Sequence, residues 1–267
     1  MLGTVKGLIR KSGLRRQHVA AARMCCERHV MASAGKGKVR NHGRILCYHS
    51  IGQPDFGVND VTPQDFRRQL ELALNAGWRF VPASQIAANG GGPKDLAITF
   101  DDGLRSVLTH AAPVLAEYKV PWSVFIVTDW SDGNASWAKP GSFLDWRDIE
   151  GLAKAGAEIG SHSVTHPNFS LITDGQTVDE LGESRQTIER RVGITTQSFA
   201  IPLGQSGNWT QSAAAAAHRL GYETVYAQAE DTRPAGTVAR TFVSRFDGER
   251  VFRAALRGVF DRWEEWI

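Results

Sequence analysis

Residues 96–103 read Leu-Ala-Ile-Thr-Phe-Asp-Asp-Gly, five apolar or β-branched residues that run directly into two adjacent carboxylates and a glycine. An unbroken apolar run of strand length fits a strand covered on both faces, as in parallel sheets, better than the alternation of a half-exposed antiparallel strand. The acids then stand at the strand's C-terminal end, the edge on which α/β barrels carry their chemistry. Outward from this stretch the same pattern repeats. Strands are expected over 44–49 (Arg-Ile-Leu-Cys-Tyr-His), 78–81, 122–127, 157–161, 197–201, 224–227 and 241–246. Helical patterns fill the gaps. Thr62 and Pro63 supply an N-cap and a first-turn proline, Phe66, Leu70 and Leu74 follow at helical spacing, and Gly77 ends the helix. Further helices are expected over 84–88, from the Asp-Asp-Gly turn to about Tyr118 across Pro113, and over 146–155, 178–192, 211–220 and 249–266, with a polar, Trp-containing insertion at 130–141. Strands alternating with helices throughout 44–267 predict a single α/β barrel preceded by an extension over 1–43.

Composition narrows the class. The chain has 267 residues, 42% hydrophobic and 22% charged, which excludes a disordered, collagen-like or coiled-coil protein. No apolar run approaches the roughly 18–20 residues of a membrane span. Cys25, Cys26 and Cys47 cannot build a disulfide framework and suit a reducing compartment. Arg10, Lys11, Arg15 and Arg16 interrupt the apolar stretch that a cleavable signal would need, so a cytoplasmic location is expected. Charge is uneven. Residues 1–44 hold eleven Lys or Arg and one acid, a net +10, against a total of +3, so the barrel is acidic. With no aromatic residue in that segment, nucleic acid is not an expected partner. Leu2, Val5, Leu8 and Ile9 among the basic residues suggest instead an anionic membrane surface, at the inner face of the membrane, with a solvated tail as the plainer alternative.

Three polar clusters fall at the ends of expected strands: Asp101-Asp102, His162 with His166, and Pro202-Leu203-Gly204. A lone Asp-Asp-Gly is more readily a helix cap and a tight turn than a catalytic pair. Paired carboxylates raise each other's pKa, however, and a divalent cation relieves that cost. His162 and His166 stand four residues apart, one turn if the segment is helical, so both could face one ion. With Asp102 they make a His₂Asp set with an open position, suited to zinc, with cobalt, nickel or manganese as alternatives, while Asp101 is left as a base.

Thr99 to Gly103, His162 to His166 and Phe199 to Gly204, in this order and with Asp145-Trp146 between the first two, resemble the motifs of the polysaccharide deacetylases that share the NodB homology domain. The resemblance covers residues 44–246 and leaves the basic extension outside. It implies a distorted (β/α)₇ barrel and metal-dependent removal of the N-acetyl group of an amino sugar, with a GlcNAc-containing glycan or an activated, lipid- or nucleotide-linked sugar as substrate. Carried over by position, Asp102, His162 and His166 are metal ligands, Asp101 is the general base, the Leu203 N–H helps form an oxyanion hole beside Pro202, and Trp146 walls the acetyl pocket. Two features depart from the family pattern. Ala200 stands where many members have an arginine that pairs with the base, and the late catalytic histidine is missing. Tyr48-His49 resembles a pair found in the poly-N-acetylglucosamine deacetylase-like subgroup, which implies His49 as general acid. Arg245, at the end of the last expected strand, is the substitute expected for the missing arginine. A metal-dependent hydrolase of a non-sugar amide and a catalytically silent glycan-binding relative are the competing readings.

Overall fold

The computed structural model describes residues 16–264. Leu2, Val5, Leu8 and Ile9, on which the membrane expectation rests, lie outside the described residues, as does the end of the helix expected to reach Trp266.

Ten strands are present in the described chain: β1 (Arg44–Tyr48), β2 (Ser50–Ile51), β3 (Asp60–Val61), β4 (Arg79–Phe80), β5 (Asp95–Phe100), β6 (Trp122–Ile126), β7 (Glu158–Ser161), β8 (Ser198–Ala200), β9 (Thr224–Gln228) and β10 (Val238–Phe242). Seven of them, in the order β1-β10-β9-β8-β7-β6-β5, form a parallel sheet that closes on itself through the pairing of β1 with β5. β4 adds to the side of β5, and β2 and β3 form a separate parallel pair. The fold is the (β/α)₇ barrel.

The side-chain period of two explains the barrel's two cores. Outward-facing Leu46, Tyr48, Leu96, Ile98, Phe100, Val124 and Ile126 meet the surrounding helices in one cluster. Inward-facing Ile45, Ala97, Phe125, Ala200 and Tyr226 fill the lumen. The lumen is tight: a Cβ on Gly160 would stand 2.4 Å from the Phe125 ring, so only glycine fits that point of β7. Continuing the inward column of β5 past Ala97 and Thr99 brings Asp101 to the mouth. Burying each large side chain of such a core contributes about 1.5–3 kcal/mol, so the strand ends sit on a rigid base.

Local signals place the helices. Thr62 caps the helix Pro63–Asn75 by accepting from the Asp65 N–H. Pro113, which has no N–H to give, is accommodated by a wide turn over Val107–Ala111 ahead of the helix Ala112–Glu117. A capping box of Thr173 and Gln176 starts the helix Asp174–Val192 four residues earlier than its apolar pattern suggested. The last helix is Glu249–Leu256 and ends before Gly258, whose φ of 80° closes it; the continuous helix expected over 249–266 is therefore too long.

Part of the basic extension is docked on the barrel. The helix Arg16–Ala34 buries Met24, Arg28 and Ala32, spaced four apart on one face. The Arg28 guanidinium is fully buried, binds both oxygens of Asp247, donates to the Phe242 carbonyl, and lies 4.2 Å over the Phe260 ring. Among the described residues no helix is long and apolar enough to cross a membrane.

Candidate active site

The C-terminal ends of the strands enclose a small pocket of about 60 Å³, lined by His49, Asp101, Asp102, His162, His166 and Leu203 together with Asn59, Gly204, Gln228 and Arg240. That is room for a few water molecules or a two-carbon acyl group, and too little for a sugar ring.

Asp101 continues β5 inward and is buried. Arg240, from the middle of β10, grips it with two parallel bonds, Nη1 to Oδ1 at 2.6 Å and Nη2 to Oδ2 at 2.7 Å, and touches Thr99 Oγ1 at 3.3 Å. The Cys47 thiol adds a contact to Oδ2 at 3.3 Å. The guanidinium rests between the Phe125 and Tyr226 rings at 5.2 and 5.8 Å, which fixes its plane. Burial pushes the Asp101 carboxyl up, but the charges of Arg240 and the nearby imidazoles outweigh it and hold the group well below the usual carboxylate range.

Asp102 has the opposite fate. It turns away from the lumen in the left-handed region (φ 70°), and its Oδ1 is buried without accepting any hydrogen bond. Burial, with Asp101's charge added, pushes it up to about 6. His162 Nε2 and His166 Nε2 each stand 3.5 Å from that Oδ1. His162 Nδ1 lies 2.8 Å from the Ala200 carbonyl, which can only accept, so Nδ1 carries the proton and Nε2 offers its lone pair to the pocket. Burial lowers His162 to about 3 and His166 to about 4, so both rings are neutral near pH 7. Neutral imidazoles around an orphaned carboxylate oxygen make a donor set suited to a cation. Separations of 3.5 Å suit ligands held about 2.1 Å from a shared centre, the distance of zinc to nitrogen and oxygen. The residues present therefore fit a divalent ion. Cys47, His49 and Asp101 also cluster, but there the fixed charge of Arg240 already occupies the carboxylate and opposes a second cation.

The two histidines are not on a helical turn. Residues 162–166 form a loop in which Ser163 (φ 71°) and His166 (φ 63°) take the left-handed conformation, bringing the rings within 4.8 Å. Glu180, on the helix Asp174–Val192, holds that loop by accepting from the N–H groups of Val164 and Thr165 and from the Thr165 hydroxyl. Leu203 (φ 64°) is strained in the same way, and its N–H meets no acceptor among the described residues. Four of the six non-glycine residues with positive φ in the described chain thus lie in the loops around this pocket. Each costs about 1–3 kcal/mol, a concentration of strain typical of sites held for a task.

Asp101, Asp102, His162, His166, His49 and Leu203 all converge here as the sequence suggested. Three expectations do not hold. Arg245 is exposed beyond the end of β10 and does not touch Asp101; the partner of that carboxylate is Arg240, because β10 begins three residues before the expected strand and turns residue 240 into the lumen. Trp146 does not line the pocket: its indole N–H donates to Asp132 at 2.7 Å and its ring lies under Arg191. The aromatic neighbour of the histidines is Trp130, whose ring is 5.2 Å from His166. Pro202 is buried behind the pocket and shapes the turn that presents Leu203, without lining the space itself.

Comparison with known proteins agrees with the motif reading. The family model of polysaccharide deacetylases matches residues 88–225. Protein YlxY of Bacillus subtilis, itself uncharacterized, is 32% identical over 97 residues, covering 36% of this chain and 27% of its own length. YxkH of the same organism is 24% identical over 184 residues, 67% of this chain and 62% of its own length, so the chain spans less than two thirds of either relative. Among solved structures, the deacetylase PplD of Streptococcus pyogenes, determined in complex with acetate, superimposes with a TM-score of 0.68 at 19% identity, covering 82% of this chain and 98% of that one. IcaB from Ammonifex degensii gives 0.68 at 24% identity, covering 82% and 97%. At these identities the likeness is one of fold.

Proposed function

This chain belongs to the polysaccharide deacetylase family, and on that premise we propose that it hydrolyses the N-acetyl group of an amino sugar in a GlcNAc-type glycan or an activated sugar precursor, with the aid of one divalent ion. The observation that carries this reading is the orphaned Asp102 Oδ1 between two neutral Nε2 atoms, beside an Asp101 kept ionised by Arg240. Asp102, His162 and His166 would hold the ion, zinc first among candidates, and when bound it supplies Lewis acidity toward the amide carbonyl and toward water. The small pocket admits the acetyl group and leaves the sugar at the mouth.

The chain's own groups then have defined tasks. Asp101 accepts a proton from the attacking water as the C–O bond forms. Arg240 weakens it as a base but keeps it charged, and so able to accept a proton, in a buried site. The Leu203 N–H, pre-aimed by a strained turn, donates to the developing oxyanion. His49, whose Nδ1 is buried without a partner, delivers a proton to the nitrogen as the C–N bond breaks, leaving a free amine and acetate. The basic segment ahead of the barrel supports attachment to an anionic membrane face, which would bring the pocket to a lipid-linked sugar.

Substrate class is tested by proton NMR of acetate released from N-acetylglucosamine oligomers and, in parallel, from N-acetyl-lysine. Release from the oligomers at a kcat/KM well above that for the amino acid is expected. A preference for the non-sugar amide would replace the proposed reading with the second hydrolase reading.

A further inference from the structure

Next to the pocket lies an aromatic surface that the reaction does not use. Trp130 packs against His166 on one side and, at 5.2 Å between ring centroids, against Trp137 on the other. Phe143 (4.9 Å from Trp130) and Phe56 (6.2 Å from Trp137) support these rings from beneath. Trp137 is 63% exposed, an unusual state for the largest apolar side chain, and it stands on the insertion over residues 130–141. The insertion is fixed. The Arg105 N–H donates to the Ser142 carbonyl, Leu104 and Phe143 form a bridge, and Lys139 pairs with Asp55 of the opposite loop at 2.7 Å. Trp130 and Phe143 also wall a cleft of about 490 Å³ whose polar edge includes Arg105, Lys139 and Asp145. That volume lies within the roughly 300–1,000 Å³ of small-molecule sites.

Resting on the reading of the pocket as a deacetylase centre, we propose that Trp137, with Trp130 behind it, is a stacking subsite for the sugar unit that neighbours the one being deacetylated. The pocket holds only the acyl group, so the glycan must lie across the mouth, and this shelf begins at the ring of a pocket histidine. The occupant follows from the chemistry of the surface. A pyranose has an apolar C–H face that suits the exposed Trp137 indole, and a rim of hydroxyls that suits the polar groups of the adjoining cleft walled by Trp130 and Phe143.

The shelf makes the enzyme prefer chains over single sugars, and Trp137→Ala removes that preference. The ratio of kcat/KM for N-acetylglucosamine tetramer to that for the monomer is expected to fall about tenfold, the scale of one lost aromatic packing partner, chiefly through KM. Trp137→Tyr, which keeps a ring, should retain most of the ratio. Because the side chain is mainly exposed, the variant is expected to fold, and far-UV circular dichroism checks this. A ratio equal to wild type in the alanine variant overturns the proposal. Binding is also read without turnover, by titrating tetramer into each protein and following the indole N–H signals. Weaker tetramer binding by Trp137→Ala supports the shelf even if the wild type releases no acetate, a result that would sink the deacetylase reading alone. Equal binding by the two proteins overturns the shelf.

Discussion

Asp101→Asn is expected to lower kcat by about 10²–10⁴ while the protein retains as much divalent metal as wild type. The substitution keeps the size of the side chain and an acceptor for Arg240 but removes the charge together with the ability to take a proton, so circular dichroism is used to check that the variant is folded. Asp102→Asn is expected to behave differently, because it neutralises a carboxylate that, unlike Asp101, makes no ion pair with an arginine among the described residues and whose Oδ1 faces both Nε2 atoms. Its metal content after dialysis should fall. Adjacent in sequence, the two residues thus separate into a base and a ligand, and elemental analysis beside a turnover assay reads the difference. Equal metal content in the two variants would mean that these roles are wrongly divided.

The second large effect concerns stability. Arg240→Met leaves the buried Asp101 without its bidentate partner, and removing one member of a buried ion pair typically costs about 3–5 kcal/mol. Urea unfolding should show a lower midpoint with an unchanged slope. The double variant Arg240→Met/Asp101→Leu should regain much of the loss, since the cost comes from the stranded charge more than from the lost bond. Arg245→Ala, by contrast, should stay within about 0.5 kcal/mol of wild type, as expected of an exposed residue outside such networks. If Arg245→Ala were the more damaging change, the assignment of Arg240 as the partner of Asp101 would be wrong.

Why Arg245 looked plausible from sequence, and Arg240 did not, has a physical cause. Reading the last strand as beginning at Thr241 set aside Val238-Ala239-Arg240, because a charged residue interrupts an apolar run. In the barrel that arginine points into the lumen, and its charge is offset by Asp101, 139 positions away in the chain. No local pattern reveals such a pairing. The helix spacing of His162 and His166 misled for a related reason: the loop that joins their rings depends on left-handed backbone at Ser163 and His166 and on the distant Glu180. Trp146 carried the family pattern, whereas the aromatic ring that packs on a pocket histidine is Trp130, at the start of the insertion. What was legible rested on strand periodicity. Short apolar runs such as 96–100 fit strands buried on both faces, and strand ends in a closed parallel barrel converge on one mouth. That is why Asp101, His162 and Leu203, far apart in the chain, could be placed together from the sequence, whereas His49 rested on the family resemblance. The docking of Arg28 on Asp247 left no such signal, since the apolar residues of its helix are spread around it and its partner lies 219 positions later.

The central claim is that a single divalent ion, held by Asp102, His162 and His166, is needed to release acetate. Stepwise addition of Zn²⁺ to chelator-stripped protein, with acetate from N-acetylglucosamine tetramer followed by proton NMR, tests it most directly. The account predicts no release at the start and a linear rise that breaks at one equivalent of zinc per chain. Stripped protein that turns over as fast as the zinc-loaded form would contradict it.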